Sequence, residues 1–167
     1  MSAPLAKRGE TGSLLRVGDS TFRAPNGTPL AAAKEGGIVD AEIVTGWLWT
    51  IGGAGPHRGQ YGELGTAIAE AANQDPVSPE DPEGCVKTAL ALVILAWERS
   101  QFHTTLSTPT GLGVFQILPP KDYPIDASLL LLPRTACHVA IDLIRRRFLA
   151  MPDVCYGEAF RKPKLLR

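Results

Sequence analysis

The chain has 167 residues and a mass of 17.8 kDa, with 17 Lys and Arg against 17 Asp and Glu, a formal net charge of zero and a pI near 6.8. That length suits one domain, since single cores span about 100–150 residues. The balanced charge excludes the global basic field that nucleic-acid binding relies on. The charges are unevenly placed, however: between Glu63 and Glu98 the acids face Lys87 alone, while the stretch from Arg145 is basic apart from Asp153 and Glu158. Such a basic rim suits a polyanionic wall, a membrane or an acidic partner, and a plainly solvated face accounts for it as well.

Cys85, Cys137 and Cys155 have no CxxC spacing, and Cys137-His138 is the lone adjacent Cys/His pair. Neither a zinc knuckle nor a redox motif is spelled out, so free thiols, no metal and no cofactor are expected. The N-terminal MSAPLAKRGETGSLLRVGDS lacks the apolar core of a secretory signal peptide. The longest uncharged apolar run, Thr88 to Trp97, is shorter than the roughly 20 residues a membrane span needs. A soluble chain with no transmembrane segment is the expectation.

Residues 1–40 are rich in Gly, Pro, Ala and small polar residues with no sustained period, which predicts a flexible arm, or one that orders on a docking partner. Ile38 to Ile51 is apolar and reads as a short strand or a helical turn, because short apolar runs do not fix a period. Trp47 and Trp49 within it suit a core or a sugar-stacking surface. Gly52 to Gly65 is a loop that matches neither the phosphate-loop nor the dinucleotide fingerprint, and His57 is expected to be an exposed loop histidine. Tyr61 to Asn73 predicts an amphipathic helix with Leu64, Ile68 and Ala71 or Ala72 on one face.

After a Pro-rich acidic loop, Asp81 as N-cap, Pro82 and Glu83 announce the next helix. From Val86 to Trp97 it is apolar nearly all round, so it must be wrapped by other elements. The segment 103–110 is a polar turn region, and Gly111 to Ile117, stopped by Pro119-Pro120, reads as a tight turn with a short extended piece. Leu129 to Leu132 is a short apolar element. Arg134 to Met151 is a helix with Ala136, Val139, Ala140, Leu143, Ile144 and Phe148 in one stripe and arginines near its end, where cations suit the dipole. The class is mainly α, with residues 41–167 as one domain.

Glu98 closes the apolar helix. Ile94 and Leu95 lie one turn behind it and Trp97 beside it. Desolvation by such neighbours, with the negative end of the helix dipole, would favour the protonated acid, as a general acid requires. A plain solvent-facing residue paired with a cation is the alternative from these residues alone.

The spacing beyond Glu98 adds a pattern: Ser107 nine residues on, Gly113 fifteen, Gln116 eighteen and Ile117 nineteen. The stretch from about Pro82 to Pro120 resembles the lytic transglycosylase branch of the lysozyme-like superfamily, in which a buried helix ends in a catalytic Glu followed by S-x-x-G-x-x-G-L-M-Q-I-x-P. Glu98, Ser107, Gly113, Val114, Phe115, Gln116, Ile117 and Pro119 carry the match. The resemblance implies a small helical lysozyme-like domain that cleaves the bond between the amino sugars of peptidoglycan glycan strands, as a lytic transglycosylase or muramidase. Glu98 would be the sole acid/base, with Ser107, Gly113, Val114, Phe115 and Gln116 contacting substrate. Arg99 stands where the family has Ser, which leaves Ser100 as the nearest hydroxyl. The family's supporting Tyr segment is not recognisable, so Tyr123 and Tyr156 are the candidates for that role. The other reading is a weakly active or inactive wall-binding component of a virion or secretion machine. Action on the cell wall without a signal peptide implies phage delivery or a dedicated export route.

Overall fold

The computed structural model describes residues 37–118 and 123–150, together with two dipeptide strands near the N-terminus. Those strands, β1 (Arg16–Val17) and β2 (Ser20–Thr21), pair antiparallel. Apart from these strands and residues 37–40, the sequence-predicted arm lies outside the described residues, as do Tyr156 and Cys155. Among the described residues four α-helices make the architecture: α1 (Ala41–Gly52), α2 (Tyr61–Gln74), α3 (Gly84–Ser100) and α4 (Pro133–Ala150). The only other strands among the described residues are the dipeptides β3 (Ser107–Thr108) and β4 (Gly111–Leu112). The domain is mainly α, and among the described residues no helix is long and apolar enough to cross a membrane.

The Ile38 to Ile51 ambiguity resolves to helix because both ends of α1 are capped. The Asp40 carboxylate accepts from Glu42 N at 3.1 Å, and Gly53, at φ 54°, donates its N–H back to Trp49 O. Val44, Trp47 and Leu48 then bury together at helical spacing, while Trp49 stays 46% exposed. Trp47 is therefore a core residue. The ring of Trp49 meets Tyr61 edge-on at 5.0 Å.

α2 packs tightly on α1 because its contact face is small. A Cβ on Gly65 would sit 2.2 Å from Thr45 Oγ1, so a side chain there would force the two helices apart. Leu64, Ile68, Ala71 and Ala72 are all buried, as the period predicts. At the far end, the Asn73 amide imitates a strand partner: its Oδ1 accepts from Val39 N at 3.0 Å and its Nδ2 donates to Val39 O at 2.8 Å.

α3 is the spine. Val86, Ala89, Leu90, Leu92, Val93, Leu95 and Ala96 are buried, in keeping with a helix apolar on most sides. Burying each large aliphatic side chain contributes about 1.5–3 kcal/mol. Its start departs from the sequence expectation. The N-cap is Glu83, without a side-chain cap, and Asp81 serves the preceding turn instead, accepting from Glu83 N at 2.9 Å and pairing with Lys87. Thr88, fully buried within α3, accepts from Val77 N at 3.0 Å, so the loop before α3 is held by the helix it introduces.

α4 follows a 3-10 turn (Ala127–Leu131) and starts at Pro133, a residue preorganised for a first helical turn. Ala136, Val139, Ala140, Ile141 and Ile144 face the core. Arg145 Nη2 reaches Asp75 Oδ1 at 2.6 Å and Pro76 O at 2.9 Å, and Arg134 pairs with Glu70 at 2.8 Å. The acidic middle of the sequence and its basic end are thus partly each other's counter-charges.

Candidate functional site

Glu98 occupies the last turn of α3 and is exposed. The sequence argument placed it among desolvating apolar neighbours. The structure corrects that: Leu95 is buried and Trp97 packs part-buried against the core, while Glu98 itself is exposed. Immediately after it, α3 is stopped by two consecutive left-handed residues, Gln101 at φ 52° and Phe102 at φ 67°. A bulky residue rarely adopts that backbone. Here burial holds it: Phe102 is fully buried, with its ring edge-on to Tyr61 at 5.5 Å and tilted on Trp97 at 5.2 Å. Backbone strain is therefore stored beside Glu98, in a region where such strain commonly accompanies function.

The chain then returns to the helix end through two tight reversals. β3 pairs with β4, placing Ser107 opposite Leu112, and Leu112 exchanges both backbone hydrogen bonds with Ile117 at 3.0 Å. Gly113 is required at the second reversal. Its φ is 70°, and a Cβ there would lie 2.0 Å from Leu130 O. Ser100 fastens this unit to α3: its hydroxyl lies 2.7 Å from Val114 O and 3.1 Å from Ala96 O, and it donates to either carbonyl. The hydroxyl expected beside Glu98 is therefore a clamp on the hairpin.

The remaining sequence-predicted site residues divide into three groups. Ser107 is exposed on the hairpin. Val114 and Phe115 are buried, so they build the hairpin's underside. Gln116 is half-buried, at φ 49°, and its amide is fully engaged: Nε2 donates to Gly113 O at 2.8 Å and Leu106 O at 3.0 Å, while Oε1 accepts from Thr108 Oγ1 at 2.6 Å. Phe115 and Gln116 line a cleft of about 420 Å³ between α3 and α4, and Glu98 is not part of that lining. The structure thus joins Ser100, Val114, Phe115 and Gln116 into one hydrogen-bonded and packed unit, with Glu98 beside it on another face of α3.

Tyr123 is committed elsewhere. Its hydroxyl donates to Asp142 Oδ2 at 2.8 Å and the Arg146 guanidinium lies 5.1 Å over its ring. Burial, then the bond to the Asp142 carboxylate, raises its pKa. Tyr123 is a brace on α4. Cys137 is fully buried, and burial pushes its thiol pKa up; Cys85 is part-buried. Among the described residues no three His, Cys, Asp or Glu side chains converge as a metal site.

Two features of the region carry no local sequence signal. Gln60 Oε1 accepts from both Thr104 N (3.0 Å) and Thr104 Oγ1 (2.9 Å), binding the loop before α2 to the turn after α3. On the same two segments His57 and His103 stack, with ring centroids 4.2 Å apart and planes 11° from parallel. His57 is half-buried rather than a freely exposed loop histidine, and its pKa is lowered, first by desolvation and then by the charge of His103. These contacts join residues 44 and 46 apart in the chain.

No family model matches the sequence, no curated protein matches it, and no solved structure matches its fold.

Proposed function

We propose that the chain cleaves peptidoglycan glycan strands, with Glu98 as its single acid/base. The observation that carries this reading is the placement of Glu98: a solvent-open carboxylate on the last turn of the buried helix, beside a strained helix stop and a hairpin bonded back to that helix by Ser100. A glycosidic oxygen needs a positioned proton donor, and the same carboxylate can then serve as base. A rigid helix end holds such a group better than a loop. The resemblance to the lysozyme-like register names the same residue, although the fold sets Phe115 and Gln116 on a cleft that Glu98 does not line.

In this reading Glu98 protonates the leaving oxygen. The exposed Ser107 and the backbone of the β3–β4 hairpin border the approaching strand, while Gln116 acts indirectly, by fixing the hairpin. The second reading, a wall-binding scaffold without turnover, is favoured by one observation: the Gln116 amide is consumed within the hairpin and lies on the cleft that Glu98 does not line. Mass spectrometry of purified peptidoglycan incubated with the full chain separates the two. Released muropeptides support cleavage, with anhydro ends denoting transglycosylation and reducing ends hydrolysis; saturable binding without products supports the scaffold.

A further inference from the structure

Outside the Glu98 region the fold carries three further features: the His57–His103 stack, the exposed edge around Ile38, and the cleft between α3 and α4. The cleft carries the most. Its α3 wall is Leu95 and Arg99, one turn apart. Its α4 wall ends in Leu143, Ile144 and Arg147, at the spacing that puts residues on one helical stripe. The segment 115–118 closes it. The lining contains no acid, and its volume of about 420 Å³ falls in the range of small-molecule sites.

The arginines give the cleft its chemistry. Arg134, Arg145 and Arg146, also on α4, each pair with a carboxylate at 2.6–2.9 Å. Arg99 and Arg147 are part-buried against the cleft and have no hydrogen-bond or ion-pair partner among the described residues. Two guanidinium-bearing residues on one cleft whose lining holds no acid leave a local excess of positive charge beside an apolar floor. An incoming anion relieves it, because guanidinium forks bind carboxylate and phosphate oxygens through paired hydrogen bonds.

We propose that this cleft binds an anionic amphiphile, its carboxylate or phosphate head held by Arg99 and Arg147 and its single alkyl-sized body laid against Leu95, Leu143 and Ile144. The site goes beyond the glycan reading and stands whether or not Glu98 is catalytic.

Isothermal titration of the full chain tests it, with octyl phosphate and octanoate as anionic probes and 1-octanol and inorganic phosphate as the two halves. The expected result is one-to-one binding of an anionic probe at least about tenfold tighter than either half, the weight of one charge-assisted interaction; the tighter of the two anions identifies the head group. Arg99→Gln with Arg147→Gln should weaken the anionic probe by about tenfold or more while leaving 1-octanol unchanged. Arg147→Lys, which keeps the charge and is compatible with the fold, should fall between wild type and Arg147→Gln. Equal affinity for 1-octanol and octyl phosphate, an Arg99/Arg147 double variant that binds like wild type, or no binding by the wild-type chain would overturn the proposal.

Discussion

Glu98 and Arg99 are adjacent in sequence yet belong to different regions. Helix geometry turns them about 100° apart, and the consequence is large: Glu98 faces open solvent beside the helix stop, while Arg99 is half-buried in an apolar cleft with Phe115 and Gln116. A register counted along the chain treats 98 and 115–117 as one site. The folded helix separates an acid on one side from an anion-seeking pocket on the other, both supported by the hairpin that Ser100 holds to α3.

The largest expected effect breaks one side alone. Glu98→Gln should lower muropeptide release by about 10²–10⁴-fold, the usual contribution of a positioned acid/base, with thermal stability unchanged because the side chain is exposed. Loss of stability in that variant would show that Glu98 is structural after all.

The shared support comes next. Leu92→Ala, in the fully buried middle of α3, should cost about 2–5 kcal/mol in denaturant unfolding and weaken both sides together. Gly113→Ala should cost about 1–3 kcal/mol, since it combines an unfavourable φ with a close approach to Leu130 O. If cleavage fell with Gly113→Ala while unfolding stayed put, the hairpin would be contacting substrate through its backbone rather than merely bracing the helix end.

The smallest effect is a pH dependence at the His57–His103 stack, which joins the loop before α2 to the turn after α3. The folded state lowers the His57 pKa from its ordinary value of 6.5, so the unfolded chain binds more protons there. Stability therefore falls as pH drops from about 6.5 and levels off below the folded pKa. Comparing melting temperatures between about pH 5 and 8, His57→Asn should flatten part of that slope. An unchanged slope would remove His57 from the account.

Much of the helical framework was legible from the sequence because its signals are local. Leu64 and Ile68 mark the buried face of α2, the unbroken apolar run marks α3 as a spine, and the Ala136–Ile144 stripe marks α4, which begins one residue earlier, at Pro133. The start of α3 was misplaced because Asp81 has the chemistry of an N-cap but its carboxylate is taken up by the turn before the helix, whose N-cap is then Glu83, without a side-chain cap. The site was less legible. Apolar neighbours in sequence suggested a buried Glu98, but whether those neighbours point inward depends on how α3 sits on α1 and α2. The Gln60–Thr104 bonds, the histidine stack and the Arg99–Arg147 cleft each join distant segments, so no local spacing announces them.

One measurement tests the catalytic assignment most directly: mass-spectrometric analysis of peptidoglycan digested in parallel by the wild-type chain and by Glu98→Gln. Muropeptides from the wild type, with release by the variant reduced about a hundredfold or more, is the expected result. Equal release by both proteins, or none by the wild type, would contradict it.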